Sequence, residues 1–280
     1  MADGRHLQIQ TTSICNGNCA ICPYVGSEVW RTRQVMDEKT FDMVMSRVKE
    51  SGLRIKKLPM YMQGEPFTDP YLFERIERVI KELTFDTFEL STNLILLNEE
   101  KAHRLAGLLK HIPTRFIISF HGTSKDEYDH IMHLNYEDNL RKTEMVLKVL
   151  SANNFDLRIS AVDMNGKVGA FWKKRFSEWG ITRNIILNTF KPKNRGGNLK
   201  GEYGSTVRKT RVSCGRHKNW CHIDVDGQVV MCCDDYQRSV VFGDLHTTPL
   251  MAIIDTIRTQ VNELAKNPNF PCYHCNRCKG

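Results

Sequence analysis

Short apolar, β-branched runs alternate with amphipathic helical stretches through the first two thirds of the chain, and this alternation constrains the fold more than any other feature. The runs cover Leu7 to Thr12, Leu58 to Met62, Phe85 to Leu90, Arg115 to Phe120, Leu157 to Val162 and Asn184 to Phe190. Each has the length and content of a buried strand. Between the first two, Asp37 caps a stretch that carries Phe41, Val44, Met45 and Val48 at helical spacing and stops near Gly52. The pattern predicts further helices over Pro70 to Leu83, Asn98 to Leu109, Tyr136 to Asn153 and Gly169 to Trp179. Strands separated by helices pair in parallel, because a parallel neighbour is reached only by a crossover. Six such units fall short of the eight of a closed (β/α)8 barrel. The expected fold class is therefore α/β, as an open partial barrel or a doubly wound sheet.

After Phe190 the chain turns into a basic, glycine-containing connector, Lys191 to Lys200, and more basic loop through Arg211. This marks a boundary, which we place between residues 1–195 and 196–280. His222 to Met231 alternates on either side of Asp226-Gly227, a two-residue hairpin signal, and a helix is expected over Pro249 to Leu264. With 41% hydrophobic and 26% charged residues in 280, the chain has the composition of a folded, globular protein. No apolar run approaches the eighteen or so residues of a membrane span, and Met1 to His6 lacks the layout of a secretory signal, so no membrane role and a cytoplasmic location are expected. The formal charge of +8 favours anionic partners without selecting among them.

Ten cysteines are many for a reducing compartment unless most have a task. Cys15, Cys19 and Cys22 lie near the start, Cys214, Cys221, Cys232 and Cys233 follow the connector, and Cys272, Cys275 and Cys278 end the sequence. Small disulfide scaffolds spread their cysteines through a short chain; clusters toward each end of a long cysteine-free body point to metal binding. The first group reads C-x3-C-x2-C in the loop after the first strand, where ligand sites of α/β domains lie. Three thiolates can hold three irons of a [4Fe–4S] cube and leave the fourth open. Structural zinc is the alternative and needs a fourth ligand, for which the nearest histidine is His6.

The triplet at this spacing and place resembles the signature of the radical SAM enzymes, and the resemblance continues along the chain. Gln63-Gly64-Glu65-Pro66 ends the second strand as the family's Gly-Glu-Pro motif does, Ser91-Thr92-Asn93 ends the third, and Ser119 lies in the fourth. The resemblance implies a partial (β/α)6 TIM-like barrel with a [4Fe–4S] cluster on Cys15, Cys19 and Cys22. It implies S-adenosyl-L-methionine bound through its amino group at Glu65, with Ser91, Thr92, Asn93 and Ser119 near its ribose or carboxylate. A carboxylate for an ammonium and hydroxyls for a ribose are what that cofactor requires. Ile21 stands where many members carry an aromatic, and Tyr24 is expected to supply that surface.

Cys214 is followed after twelve residues by Gly227 and after four more by Cys232, and Cys272 and Cys275 form a C-x2-C pair. This resembles the twitch domain, the shortened relative of the SPASM domain, and implies an auxiliary [4Fe–4S] cluster on Cys214, Cys232, Cys272 and Cys275. A zinc ribbon is the alternative. Cys221, Cys233 and Cys278 are left as buried thiols, alternative ligands, ligands of a further cluster, or a hydrogen-atom donor.

By the resemblance, the reduced first cluster cleaves S-adenosylmethionine to a 5′-deoxyadenosyl radical that takes a hydrogen from a substrate in the barrel. A fully ligated auxiliary cluster then accepts the electron left on the substrate, which favours net oxidation. Oxidising a carbon radical beside a hydroxyl to a carbonyl also requires loss of a proton. Arg195 is the candidate for that step, since an arginine serves so in the related aminocyclitol dehydrogenase, and Asp234 is the alternative. His121, His217 and His222 read as surface or packing residues. The compact layout resembles the dehydrogenases of aminocyclitol and sugar antibiotics, in natural-product biosynthesis. That implies a small, possibly anionic substrate and a flavodoxin- or ferredoxin-type reductant. Modification of a ribosomal peptide, by cross-linking or epimerisation, is the alternative. A nucleotide or RNA substrate is a third reading, from the basic runs Arg208 to Arg211 and Arg216 to Lys218, which lack the aromatic residues of a single-strand platform. A non-catalytic scaffold would have no use for Gly64-Glu65-Pro66.

Overall fold

Side-chain alternation builds the sheet. In the computed structural model, which describes residues 4–199, 201–203 and 216–269, six strands run in parallel. They are β1 (Arg5–Ile9), β2 (Ile55–Pro59), β3 (Phe88–Thr92), β4 (Thr114–Ser119), β5 (Asp156–Val162) and β6 (Ile186–Phe190), adjacent in that order. Leu7, Ile9, Leu58, Phe88, Leu90, Phe116, Ile118 and Ile159 are buried and join one hydrophobic core with side chains of the helices. Their neighbours on the other face, Gln8, Ser91, Ile117, Ser119, Ser160 and Asn188, line a single cavity. Strands from both ends of the sheet thus face one space, as the curl of a partial (β/α)6 barrel requires.

The crossovers are α1 (Glu28–Arg31), α2 (Glu38–Glu50), α3 (Leu72–Glu82), α4 (Glu99–Leu108), α5 (Lys125–Met132), α6 (Tyr136–Ser151) and α7 (Val168–Trp179). In α2, Asp37 accepts the Thr40 N–H at 2.8 Å, and Phe41, Val44, Met45 and Val48 are buried. Burial of each such side chain contributes about 1.5–3 kcal/mol, more than the ~1 kcal/mol of the cap. The helix α5 was not expected. Its signal is the Ser124 cap, which accepts the Glu127 N–H at 3.2 Å, while Glu127 takes the Thr123 N–H at 2.7 Å. Packing completes it: Tyr128 and Trp172 lie 4.6 and 5.1 Å from the Phe120 ring. A side chain at Gly122, where φ is 124°, would bring its Cβ to 2.6 Å from the Tyr128 nitrogen, so only glycine admits this approach.

Tyr61, which lines the cavity, is held from behind by a charged cluster. Glu89 accepts the Tyr61 hydroxyl at 2.6 Å and pairs with Lys57 at 3.1 Å and Arg115 at 3.3 Å. A buried carboxylate needs such partners.

The C-terminal part continues the same sheet. After α8 (Arg216–Asn219), β7 (Trp220–Ile223) pairs in parallel with β1, and β8 (Gln228–Val230) and β9 (Val241–Asp244) add antiparallel strands before α9 (Leu250–Lys266). The expected hairpin forms with a different turn. Ile223 faces Val229 and Asp224 N–H bonds Gln228, so the loop is Val225-Asp226-Gly227, with Gly227 at φ 76°. The Asp224 carboxylate accepts the N–H groups of Asp226 and Gln228 and favours this three-residue loop over the two-residue one. Among the described residues no helix is long and apolar enough to cross a membrane. Cys214, Cys272, Cys275, Cys278 and the run Arg208 to Arg211 lie outside the described residues.

Candidate active site

The loop after β1 brings Cys15, Cys19 and Cys22 to the wall of the cavity, whose volume is about 350 Å³. Backbone bonds fold it: Cys22 N–H reaches the Cys19 carbonyl at 2.9 Å and Ala20 N–H the Ile131 carbonyl at 2.8 Å. Tyr24, expected to offer an aromatic surface, does line the cavity. Its hydroxyl also donates to the Ser13 carbonyl at 2.8 Å and accepts the Cys15 N–H at 3.1 Å, so it shapes the loop. Burial pushes the Cys15 thiol up to about 12 and the Cys19 thiol higher still. All six described cysteines are free thiols.

The Gly-Glu-Pro turn docks on this loop. Gly64 has φ 149°, and a Cβ there would lie 2.8 Å from the Thr12 carbonyl oxygen and 2.9 Å from that of Ile14. The close approach lets Glu65 N–H bond the Ile14 carbonyl at 2.8 Å, and Pro66 begins a short 3-10 turn. Glu65 is buried, and burial pushes its carboxyl up to about 7. Its Oε1 accepts from the Thr92 hydroxyl at 2.6 Å and the Phe67 N–H at 3.3 Å, and its Oε2 from the Asn93 N–H at 2.8 Å. A carboxylate has about four acceptor positions, so Oε2 has capacity for one more donor toward the cavity it lines. An ammonium group there would return Glu65 to the ionised form. Thr92 lines the cavity and donates its hydroxyl to Glu65. Asn93 spans to the cysteine loop, donating to Asn16 Oδ1 at 2.9 Å, while Ser91 and Ser119 face the cavity.

These residues fit a cube held at three corners. A Cβ on Gly17 would stand 3.6 and 3.7 Å from the Cys19 and Cys15 sulfurs, so glycine leaves the concave face of the loop clear between them. Three thiols with Glu65 and two hydroxyls beside them form the donor set for such a cluster and an amino-acid ligand. Among the described residues no three His, Cys, Asp or Glu side chains converge as around a single metal ion.

Residues from the C-terminal part complete the wall. Gln63 donates to the Cys233 carbonyl at 3.0 Å and accepts from Arg238 at 2.6 Å. Arg238 also reaches Gln10 at 2.9 Å and Asp224 at 3.3 Å, bracing the hairpin on the barrel. Tyr236 is buried with Tyr24 and Val29, and its hydroxyl lies 3.4 Å from the Cys22 sulfur; burial and Cys22 hold it well above its ordinary range. Cys233 lines the cavity, whereas Cys232 joins the hydrophobic core and its sulfur accepts the Asp234 N–H at 3.4 Å. Cys221 is a fully buried core thiol in β7.

Arg195 and Asp234, far apart in sequence, meet as an ion pair at 3.4 Å. Arg195 lines the cavity and has φ 48°, a left-handed backbone rare in non-glycine residues. The connector is tied down, since Asn198 donates to the Asp234 carbonyl at 3.2 Å. A second hollow of about 270 Å³ shares Ile21, Ser160, Phe190 and Arg195 with the first and adds Lys193.

His222 packs as expected, stacked 5.6 Å from Trp220 with Nδ1 at 2.6 Å from Gln8. His121 is buried and also lines the cavity, a role that its sequence context did not reveal. The Val162 N–H donates to its Nδ1 at 3.1 Å, which places the ring proton on Nε2. Burial, then Arg195, pushes its pKa down to about 3. The unfolded chain therefore binds a proton that the folded state does not between about pH 6.5 and 3, and stability falls as pH drops through this window. Because Glu65 titrates in the opposite sense in both proteins, we expect the difference between them to carry the effect: as pH drops, wild type loses about 1.36 kcal/mol per pH unit relative to His121→Asn, whose amide oxygen can accept the same N–H. Urea unfolding of both proteins between pH 7 and 5 checks this, and equal slopes would contradict it.

The sequence model of the radical SAM superfamily matches residues 9–164, and that of the SPASM iron–sulfur cluster-binding domain matches residues 214–279. No curated protein matches the sequence. Among solved structures, BtrN in complex with AdoMet and 2-DOIA is similar at TM-score 0.64 and 17% identity, over 98% of this chain and 94% of that one. Native anSMEcpe with bound AdoMet is similar at 0.65 and 16%, over 98% and 89%. SuiB of Streptococcus suis, bound to precursor peptide SuiA, is similar at 0.66 and 12%, over 91% and 65%. At these identities the likeness is one of fold. Because the superfamily match spans more than half of the chain and contains the cysteine loop, this chain belongs to the radical SAM superfamily, with S-adenosyl-L-methionine and [4Fe–4S] clusters as its cofactors.

Proposed function

We propose that the protein oxidises a secondary alcohol of a small hydroxylated molecule, such as a sugar or aminocyclitol, to a carbonyl. The observation that carries this reading is the ion pair between Arg195, which lines the cavity, and Asp234 behind it. When bound, S-adenosylmethionine and the cluster on Cys15, Cys19 and Cys22 supply hydrogen-atom abstraction, and an auxiliary cluster on Cys214, Cys232, Cys272 and Cys275 supplies an acceptor for the electron left on the substrate. Glu65 Oε2 would hold the amino group of the cofactor, and Ser91, Thr92, Asn93 and Ser119 would present polar groups toward the remainder. Arg195 stands between substrate and Asp234. An arginine this close to a carboxylate stays protonated, so it acts as a relay. Its Nη1 gives a proton to Asp234 Oδ1 and the same nitrogen, now carrying the lone pair, takes the substrate hydroxyl proton, so the guanidinium is restored and the proton ends on Asp234. His121 Nε2–H, Ser160 and Asn188 offer hydrogen bonds to other hydroxyls, and Lys193 beside the second hollow accommodates an anionic group.

Support comes also from BtrN, bound to AdoMet and 2-DOIA, with which this chain shares nearly its whole length. The alternative is peptide modification, favoured by the fold's likeness to anSMEcpe bound to AdoMet and Cp18Cys peptide and to SuiB with its precursor peptide. A low-potential flavodoxin or ferredoxin is the matching reductant. The separating experiment follows the hydrogen atom on the oxidised carbon into 5′-deoxyadenosine, with a panel of polyols and of peptides.

A further inference from the structure

The three sulfurs of the cysteine loop are hydrogen-bonded differently. Cys15 receives the Gly17 N–H from within the loop at 3.3 Å, and Cys19 contacts the Met132 sulfur at 3.8 Å. Cys22 meets the Tyr236 hydroxyl at 3.4 Å, from a residue 214 positions further along the chain. That geometry is built: Tyr236 is 6% exposed, packs with Tyr24 and Val29, and has its carbonyl fixed by the Val29 N–H at 3.3 Å. Gln237 is tied to the Glu28 N–H at 3.3 Å. Either atom of the Cys22–Tyr236 contact can donate in the free thiol. Once Cys22 is a thiolate ligand it has no proton, and the tyrosine O–H is the donor.

A hydrogen bond to a ligating sulfur withdraws charge from the cluster and favours its reduced, more negative state. We propose that Tyr236 is a positioning residue of the C-terminal part that donates to the Cys22 thiolate and raises the reduction potential of the radical cluster. The segment that carries Cys232, Asp234 and Tyr236 thereby reaches the ligand shell of both cluster sites. The inference rests on the superfamily cluster alone and holds whichever substrate is correct.

The test is an EPR-monitored redox titration of the anaerobically reconstituted holoenzyme, wild type and Tyr236→Phe. The titration follows the reduced-cluster signal that changes when S-adenosylmethionine is added, which belongs to the cluster on Cys15, Cys19 and Cys22. Phenylalanine keeps the ring packing and removes only the O–H. At the wild-type midpoint we expect the reduced-to-oxidised ratio to fall about tenfold, a shift of about 59 mV to more negative potential, with iron content unchanged. An unchanged or more positive midpoint would overturn the proposal. If Tyr236→Phe fails to hold iron, a fluorinated tyrosine at this position, with a more acidic and stronger donor, must move the midpoint to more positive potential; no movement overturns the proposal.

Discussion

Gly64→Ala is expected to lose the radical cluster while keeping the auxiliary one: about eight irons per chain in the reconstituted wild type, from two four-iron cubes, should fall to about four. Two penalties act at one position. The backbone lies at φ 149°, where a non-glycine residue costs about 1–3 kcal/mol. The added methyl would also meet the Thr12 and Ile14 carbonyl oxygens at 2.8 and 2.9 Å, and backbone cannot give way as a flexible side chain does; overpacking of this kind costs about 1–3 kcal/mol more. The cheapest relief separates the Gln63–Pro66 turn from the cysteine loop, breaking the bond from Glu65 N–H to Ile14 and that from the Thr68 hydroxyl to the same carbonyl. Glu65 would then leave Thr92 and Asn93. 5′-Deoxyadenosine formation should fall by about 10²-fold or more, as about 2.7 kcal/mol implies. Full iron content and normal deoxyadenosine in Gly64→Ala would show that the turn does not brace the loop.

The second large effect concerns Asp234. If the Arg195 guanidinium relays the substrate proton, its ion-pair partner must hold it, and Asp234→Asn removes the acceptor while keeping the shape of the side chain. General base catalysis contributes about 10²–10⁴-fold, and product formation should fall within that range. Deoxyadenosine formation should persist, uncoupled from product, because the substitution removes the proton acceptor and leaves Glu65 and the cysteine triplet unchanged. A variant with product and deoxyadenosine lowered in parallel would place Asp234 in the architecture of the site instead. Product within threefold of wild type would remove it from the proton path.

What could be read beforehand was local. The six strands have their own burial period, the cysteine triplet its own spacing, and Gly64-Glu65-Pro66 its own turn chemistry, so each announces itself within a few residues. What could not be read depends on long-range packing. Tyr236 matters because β7 pairs with β1 and carries the hairpin end back to Cys22. His121 is an ordinary histidine in sequence and becomes a cavity donor only where the Val162 N–H fixes its tautomer. Arg238 braces Gln10, Gln63 and Asp224, which come from three separate parts of the chain. Thr92, assigned to a ligand by resemblance, lines the cavity and also donates its hydroxyl to Glu65, a bond that sequence order does not display. The helix α5 was missed for a different reason, since its Ser124 and Glu127 cap is visible but its eight residues are too few for a clear periodic face.

The most direct measurement is isotope transfer in the reconstituted, reduced enzyme with polyols deuterated at the carbinol carbon. The account predicts one deuterium in 5′-deoxyadenosine for each carbonyl formed, with no deuterium returned to the substrate. Deoxyadenosine labelled only from a peptide, or label exchanged back into an unoxidised alcohol, would contradict it.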